Sequence, residues 1–339
     1  MAPSLPQISV LVPCRDDAST LDEALASIAA QTWRELEVVI SDDASSDDSP
    51  RIAEAWTARD PRFRLLRHPT HLGMTENWNR ALAAARGELV AKLDADDLWR
   101  EETLARLRAE LDADAGLLAS FCRVEVRADG ESSCALWPGE AALRAAGFPP
   151  EEGHVVRGRA LWLASLADVQ LWHSNAFLVP RSELARLGGF DVRWSCASDT
   201  ALLLRLLATD RPVAHVPYPG VVYRRRPDSV SARFERAGWK ALEGWLVRLD
   251  ALARDGRRFG PLPRAARQAW WQAWRSSRRA AGDGALWRAM PEPLRGKLAA
   301  ALAVSAPPPA AVRLEGWLRL QGWRLRRRVA RDAAPEPAA

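Results

Sequence analysis

Asp94-Ala95-Asp96-Asp97 stands directly behind the apolar run Leu89-Val90-Ala91-Lys92-Leu93. An acidic cluster at the exit of a buried strand is where an α/β protein would hold a divalent cation against a diphosphate. Mg²⁺ or Mn²⁺ typically takes one or two carboxylates from the protein and fills its remaining positions with water and phosphate oxygens. Asp112-Ala113-Asp114 repeats the triplet. That copy closes a helix-like segment and reads as a solvated helix end; short motifs match by chance, so placement decides. Only the first copy follows a strand. Two further polar clusters, residues 13–17 and 41–43, also follow short apolar runs.

The elements that would position these clusters alternate. Residues 8–12 form an apolar run after Pro6. Thr20-Leu21-Asp22-Glu23 has the spacing of a capping box, and Leu21, Leu25 and Ile28 repeat at helical period behind it. Residues 36–40 read as a second buried strand. Ser49-Pro50 supplies an N-cap with proline at the first helical position, opening a helix through Trp56. A third strand is expected over 63–66, a helix over 75–85 stopped by Gly87, and a fourth strand over 89–93. Strands separated by helices imply βαβ units and a parallel sheet covered on both faces. Ligands of such sheets sit beyond the carboxyl ends of the strands, so the three polar clusters should converge on one crevice. No Gly-x-Gly-x-x-Gly follows the first strand, which argues against a dinucleotide site. Beyond residue 117 the pattern turns mixed. Strands are expected near 121–126, 175–179, 213–216 and 221–223, with helices over 182–187 and 199–208. A turn is expected at Asp129-Gly130, and Gly188-Gly189 should end the first of those helices.

Composition narrows the class. Four cysteines without Cys-x-x-Cys spacing indicate neither a zinc cage nor a disulfide framework, so a reducing, cytoplasmic setting is expected. The first residues lack a basic segment followed by an apolar one and do not read as a signal peptide. The apolar stretch 298–312 is broken by Pro307-Pro308-Pro309 and falls short of the roughly 20 residues a membrane span needs. Charge is uneven. Residues 1–231 carry 26 Lys and Arg against 34 Asp and Glu, whereas residues 232–339 carry 22 against 9. Arginine outnumbers lysine 45 to 3, which fits a coding bias but not the concentration of positive charge in the last third.

In order along the chain, these segments resemble the large family 2 of inverting glycosyltransferases. The stretches that carry the resemblance begin with Ile8-Ser-Val-Leu-Val-Pro13, Leu25-x-x-Ile28-x-x-Gln31-Thr32 and Glu37-Val-Val-Ile-Ser-Asp-Asp43. They continue with Leu72-Gly73, Asn77-Trp78-Asn79-Arg80-Ala81-Leu82, Ala85-Arg86-Gly87-Glu88 and Asp94-Ala-Asp-Asp97. Gly188-Gly189-Phe190-Asp191, Asp199 with Arg205, and Tyr223-Arg224-Arg225 complete the set. The resemblance spans roughly residues 7–231. It implies a GT-A fold: a mixed, mainly parallel sheet flanked by helices, here with a C-terminal helical appendage.

The resemblance also implies roles. Pro13, Asp43, Asn79 and Asp94 would contact the donor nucleotide, with Asp43 accepting the imide N–H of uracil and Asp94 facing the ribose or sugar. Asp42 would hydrogen-bond the turn at 44–46 instead. Asp96 would contact Mn²⁺ or Mg²⁺, which acts as a Lewis acid toward the leaving diphosphate. Asp199 would be the base that deprotonates an acceptor hydroxyl, with a helix N-cap as the competing reading of its position. Many relatives have an acid where Ser198 stands and often a histidine where Arg226 stands. Arginine cannot ligate a metal but binds phosphate through its fork, so Arg226 is assigned to the diphosphate. Trp172 and His173 fall where acceptor and donor sugar would lie, although a lone tryptophan beside a strand also reads as core.

The expected organisation is a GT-A domain over 1–231, a basic Trp/Arg-rich helical region over 232–331 and a disordered tail over 332–339. Eight of the 16 tryptophans lie beyond residue 231. Tryptophan and leucine set among arginines fit an interfacial helix at an anionic membrane surface, or equally a helical cap packed on the catalytic domain. No recognition motif accompanies the charge, so nucleic acid is not an expected partner. The expected activity is metal-dependent transfer from a nucleotide-diphosphate sugar, a UDP-sugar favoured, to a hydroxyl of a cell-envelope or lipid-linked glycan. The location is cytoplasmic, with a peripheral position on the inner membrane face left open. Transfer to a polyprenyl phosphate and a non-catalytic nucleotide-sugar binding module are the alternatives.

Overall fold

The computed structural model describes residues 6–128, 135–166, 171, 173–227, 229–236 and 239–259. Its first half runs β1 (Ile8–Cys14), α1 (Leu21–Ala29), β2 (Leu36–Asp42), α2 (Ser49–Arg59), β3 (Phe63–Arg67), α3 (Met74–Ala84), β4 (Leu89–Lys92), β5 (Leu98–Trp99) and α4 (Thr103–Ala113). The second half runs β6 (Ala119–Ala128), β7 (Ala135–Leu136), α5 (Pro138–Ala145), β8 (His154–Arg157), α6 (Gly158–Ser165), β9 (Phe177–Pro180) and α7 (Arg181–Arg186). It ends with α8 (Ser198–Leu207), β10 (Pro212–Arg225), α9 (Val230–Arg236), α10 (Trp239–Asp255) and a 3₁₀ turn, Gly256–Phe259.

The strands form one mixed sheet in the order β3-β2-β1-β4-β9-β6-β10-β5, with β7 on β6 and β8 on β10. β3, β2, β1 and β4 are mutually parallel. β9 then pairs antiparallel with both β4 and β6, and β6 runs parallel to β10. Alternate residues on one face of β1 and β2, Ile8, Val10, Val12, Val38 and Ile40, bury against Leu25 and Ile28 of α1 and Trp56 of α2. Leu11 and Val39, pointing the other way, are equally buried, and α3 packs on β1 and β2. Burial on both faces is what the continuous Val/Ile-rich strands require.

Local chemistry departs from the sequence reading in a few places. Thr20 occupies the N-cap of α1, but no capping box forms: its hydroxyl donates to the Asp17 carbonyl, 3.3 Å away, and Glu23 pairs with Arg224. The N-cap of α2 is Asp48, one residue before the expected serine. The two strands expected over 213–216 and 221–223 are one long strand, β10, whose register against β6 shifts between Val216 and Val221. Gly188 and Gly189 end α7 at φ +76° and +72°, where a side chain would be strained. Asp112 lies in the last turn of α4 and pairs with Arg108, as a solvated helix end should.

The chain divides into two compact units. One comprises residues 1–165 and 169–244, the other residues 166–168 and 245–339. The division falls after Gly244, within α10, whereas the sequence had placed a boundary at Ser231. The basic region beyond residue 259 and the tail over 332–339 lie outside the described residues, as does the turn at Asp129-Gly130. Among the described residues Cys14, Cys122 and Cys196 are free thiols, and no helix is long and apolar enough to cross a membrane.

His215 of β10 sits within this core, 4% exposed, its ring 4.9 Å from Phe121 and 6.2 Å from His154, with Nδ1–H donating to the Glu152 carbonyl. Burial pushes the imidazole down to about 4. The unfolded chain therefore takes up a proton near pH 6.5 that the folded chain refuses until about pH 4. The contribution of His215 to stability is complete above pH 6.5 and falls by about 3 kcal/mol as pH drops through this window. Denaturant titrations at pH 7 and pH 4.5 should show a smaller stability difference between the two pH values in His215→Gln than in wild type, by about that amount.

Candidate active site

The path of the chain places the site. After β1 it moves outward through β2 and β3, then returns to the other side of β1 as β4. Connections that diverge from two adjacent parallel strands leave a crevice at their carboxyl ends. Arg15-Asp16-Asp17 leaves β1 there, and Asp94-Ala95-Asp96-Asp97 leaves β4. The two acidic segments meet at Arg226, just past the end of β10. One of its terminal nitrogens lies 3.5 Å from Asp17 Oδ1 and 3.6 Å from Asp96 Oδ2.

Each carboxylate of the cluster has a different duty. Lys92, the last residue of β4, is completely buried. Its ammonium donates to Asp94 Oδ1 and to Asn175 Oδ1, the latter at 2.9 Å, and lies 4.3 Å from the centre of the Trp78 ring. Burial works to raise the Asp94 carboxyl, but the charges of Lys92 and His173 and the hydrogen bonds from Lys92 and Asn175 together outweigh it and hold the group below the ordinary value. Asp97 accepts the Arg224 backbone N–H (2.8 Å) on one oxygen and the Asn175 amide on the other. It thereby ties β10 and the segment before β9 to the end of β4. Burial, then the charges of Asp96 and Asp94, push its carboxyl well up. Asp96 is also raised, by burial and by Asp94. Asp17 rises to about 7, chiefly through burial, despite the nearby Arg226.

Pro13 is buried in β1 opposite Ser41 of β2. Asp43, 2% exposed at the end of β2, accepts the N–H groups of Leu72 (2.6 Å) and Gly73 (3.0 Å) and contacts His71 Nδ1 at 2.7 Å. Its carboxylate therefore shapes the loop that enters α3. Asp42 accepts the Ser45 N–H at 3.3 Å, the turn contact expected of it. Asn79, expected at the nucleotide, spends both ends of its amide on the Phe190 backbone, each at 2.8 Å. Trp78 packs edge-on against Phe190 and covers Lys92.

His173 is buried between Trp137 and Tyr223, and its Nδ1 accepts the Asn175 N–H at 3.3 Å. Burial pushes its ring down to about 4, so it is neutral at pH 7. It feels the charges of Asp94 and Asp199 as well as those of Lys92 and Lys240. Asp199 lies in the first turn of α8; the N-cap is Ala197, so Asp199 is not the capping residue. Its Oδ1 accepts the Thr200 N–H at 2.6 Å. Trp172 lies outside the described residues.

Three participants escaped sequence reasoning. Asp17 was only part of a polar cluster. Lys92 read as one letter of an apolar strand, although it is one of three lysines in an arginine-rich chain. Asn175, which bridges Lys92 and Asp97, is linked to both by topology alone.

The donor set bears on a metal. Asp94 is held by Lys92 and Asp97 by Arg224 and Asn175, which leaves the Asp96 carboxylate as a hard oxygen that an ion could take. Among the described residues no three His, Cys, Asp or Glu side chains are arranged as a cage. Mg²⁺ or Mn²⁺ held mainly by a substrate's phosphates needs no cage, so these residues fit such an ion.

Residues 9–132 match the family model described as glycosyl transferase family 2. This segment is a family 2 glycosyltransferase domain. The chain is 28% identical over 235 residues to the succinoglycan biosynthesis protein ExoO of Rhizobium meliloti, a match covering 67% of this chain and 63% of that protein. It spans less than two thirds of the length of the curated relatives it matches. S. aureus TarS in complex with UDP superposes with a TM-score of 0.62 at 17% identity, covering 88% of this chain and 87% of that one. The mannosyltransferase PcManGT from Pyrobaculum calidifontis, solved with GDP-Man and Mn²⁺, superposes at 0.52 with 23% identity, covering 93% and 84%. At these identities the likeness establishes the fold: the sheet around the family 2 domain is that of a GT-A glycosyltransferase.

Lys92 offers a test of how the acidic cluster is held. Lys92→Met keeps the apolar volume but strands Asp94 beside Asp96 and Asp97. Folding stability should fall by about 3 kcal/mol. Adding Asp94→Asn should restore much of it, as a double-mutant cycle in chemical denaturation would show.

Proposed function

We propose that this protein transfers a sugar, with inversion, from a nucleotide-diphosphate donor to a hydroxyl acceptor. The observation that carries the reading is the meeting of Asp17, Asp96 and Arg226 at the β1–β4 switch point, with Asp94 and Asp199 both acting on the one buried His173. In this reading Asp43 and the 71–73 loop that it shapes receive the base, and Asp94 faces the ribose or donor sugar. The Arg226 guanidinium binds the diphosphate as its negative charge grows on departure. Asp96, with Asp17 beside it, would hold a divalent ion whose contribution is further charge neutralisation at the leaving diphosphate. Asp199 takes the proton of the incoming hydroxyl on the face opposite the leaving group. His173, neutral at pH 7, lends shape rather than charge, and Trp172 and His173 are assigned to the sugars.

A glycan or lipid-linked acceptor of the cell envelope is part of the proposal, supported by the succinoglycan biosynthesis protein among the relatives. A UDP-sugar is the favoured donor; a fold relative with UDP supports it and another with GDP-Man keeps guanine open. The positive charge beyond residue 231 supports a peripheral place on the cytoplasmic face of an anionic membrane, with a helical cap on the catalytic domain as the equal alternative.

Calorimetric titration of UDP and GDP, each with and without Mn²⁺, tests the donor site. One nucleotide should bind more tightly with Mn²⁺; Asp96→Ala should remove the metal enhancement. Arg226→Ala should weaken binding about 10-fold through loss of a charge-assisted contact. Binding of neither nucleotide would overturn the assignment. Asp199→Asn should leave binding intact and lower nucleotide release from the donor sugar by about 100-fold or more. Unchanged turnover in that variant would instead favour an acceptor that is already anionic, such as a polyprenyl phosphate.

A further inference from the structure

Glu243 belongs to α10, beyond the stretch in which the sequence resemblance lies, and its side chain is 2% exposed. Both of its oxygens accept the Ser195 N–H at 2.9 Å. Oε2 also accepts the Cys196 N–H at 2.5 Å and the Ala197 N–H at 3.1 Å. Three successive amides thus converge on one buried carboxylate, an arrangement that binds an anion as a backbone nest does. The first intrahelical bond of α8 follows at once, from Ala201 N to the Ala197 carbonyl at 2.9 Å. On its other side the same loop is pinned by Thr75, whose hydroxyl donates to the Trp194 carbonyl at 2.8 Å.

A buried carboxylate is costly unless its hydrogen bonds are satisfied, so removing it disturbs those amides more than an ordinary contact would. Asp199 stands two residues past this nest, in the first turn of the helix that the nest begins. No other described carboxylate bonds to those three amides.

We infer that Glu243 is a positioning residue for Asp199: its carboxylate fixes the backbone of residues 195–197, and through it the place of the base in the crevice. This rests on the reading of Asp199 as the base. It assigns part of the catalytic apparatus to α10. An error of about 1 Å in placing a catalytic group can cost roughly 100-fold in rate.

The test uses the full chain, with UDP and Mn²⁺ for binding and UDP-GlcNAc and GDP-mannose for nucleotide release. Glu243→Gln keeps the bulk but turns one acceptor into a donor facing the amides; Glu243→Asp keeps the charge and shortens the reach. Both are expected to bind nucleotide within about twofold of wild type. Release should slow by about 10- to 100-fold in Glu243→Gln and less in Glu243→Asp. Hydrogen exchange should quicken at residues 195–200 and not at 94–97. Release within twofold of wild type in both variants, while Asp199→Asn is inactive, overturns the inference and leaves the reading of Asp199 intact. Loss of nucleotide binding along with release overturns it too, since a positioning role would spare binding. Should Glu243→Gln fail to fold, Glu243→Asp alone decides between these outcomes. Undiminished release in Asp199→Asn, or none from either donor in wild type, sinks the reading of Asp199 and this inference with it.

Discussion

The structure turns on keeping several negative charges close together at the end of a buried strand. Asp94, Asp96 and Asp97 leave β4 within four residues, and Asp17 joins them from β1. Such a group repels itself and is pushed toward taking up protons, as the raised carboxyls of Asp17, Asp96 and Asp97 show. The fold counters it with two cations of different kinds. Lys92 is a compact charge sealed under Trp78, and it fixes the one acid it touches. Arg226 reaches in from another strand at longer range, 3.5–3.6 Å, and so stands where a diphosphate could compete for it.

Distant parts of the chain follow from that arrangement. Asn175 must bring the approach to β9 onto the end of β4, because its amide serves Lys92 with one end and Asp97 with the other. Arg224 must leave β10 at the same level, since its N–H completes Asp97 and its guanidinium donates to the Asp96 carbonyl, to Glu23 and to Thr20. The antiparallel insertion of β9 between β4 and β6 is what lets both come together. A sheet of parallel strands alone would leave the far half of the molecule without a path to this corner.

How much of this was legible depended on sequence distance. The βαβ rhythm and the acidic strand end were visible because each is a local pattern, and the ends of these elements moved by three residues at most. The capping box at Thr20 failed because a tertiary partner, Arg224, took the glutamate it needed. β10 read as two strands because Pro217 and Gly220 interrupt the apolar run, while hydrogen bonding to β6 continues past them. Asn79 looked like a ligand contact and turned out to hold Phe190, a pairing between α3 and the loop after α7 that no local spacing announces. Lys92 was hidden by its apolar neighbours, and Glu243 by the long interval that separates it from Asp199.

The shift in β10 has a bearing on how such chains can diverge. Between Val216 and Val221 this strand advances further than its partner β6, which moves only from Cys122 to Val124. Gly220 closes the excursion. Its carbonyl is gripped by Arg100 N and Thr103 Oγ1, each at 2.8 Å, and an added Cβ would come within 2.8 Å of Cys122 Sγ. The count toward Arg224 and Arg226 therefore starts at Gly220. Residues gained or lost before it would change a surface bend and leave the arginines in register. A single residue gained after it would turn every side chain over 221–225 to the opposite face of the sheet. The strand can therefore bear a change of length on one side of this glycine and not on the other.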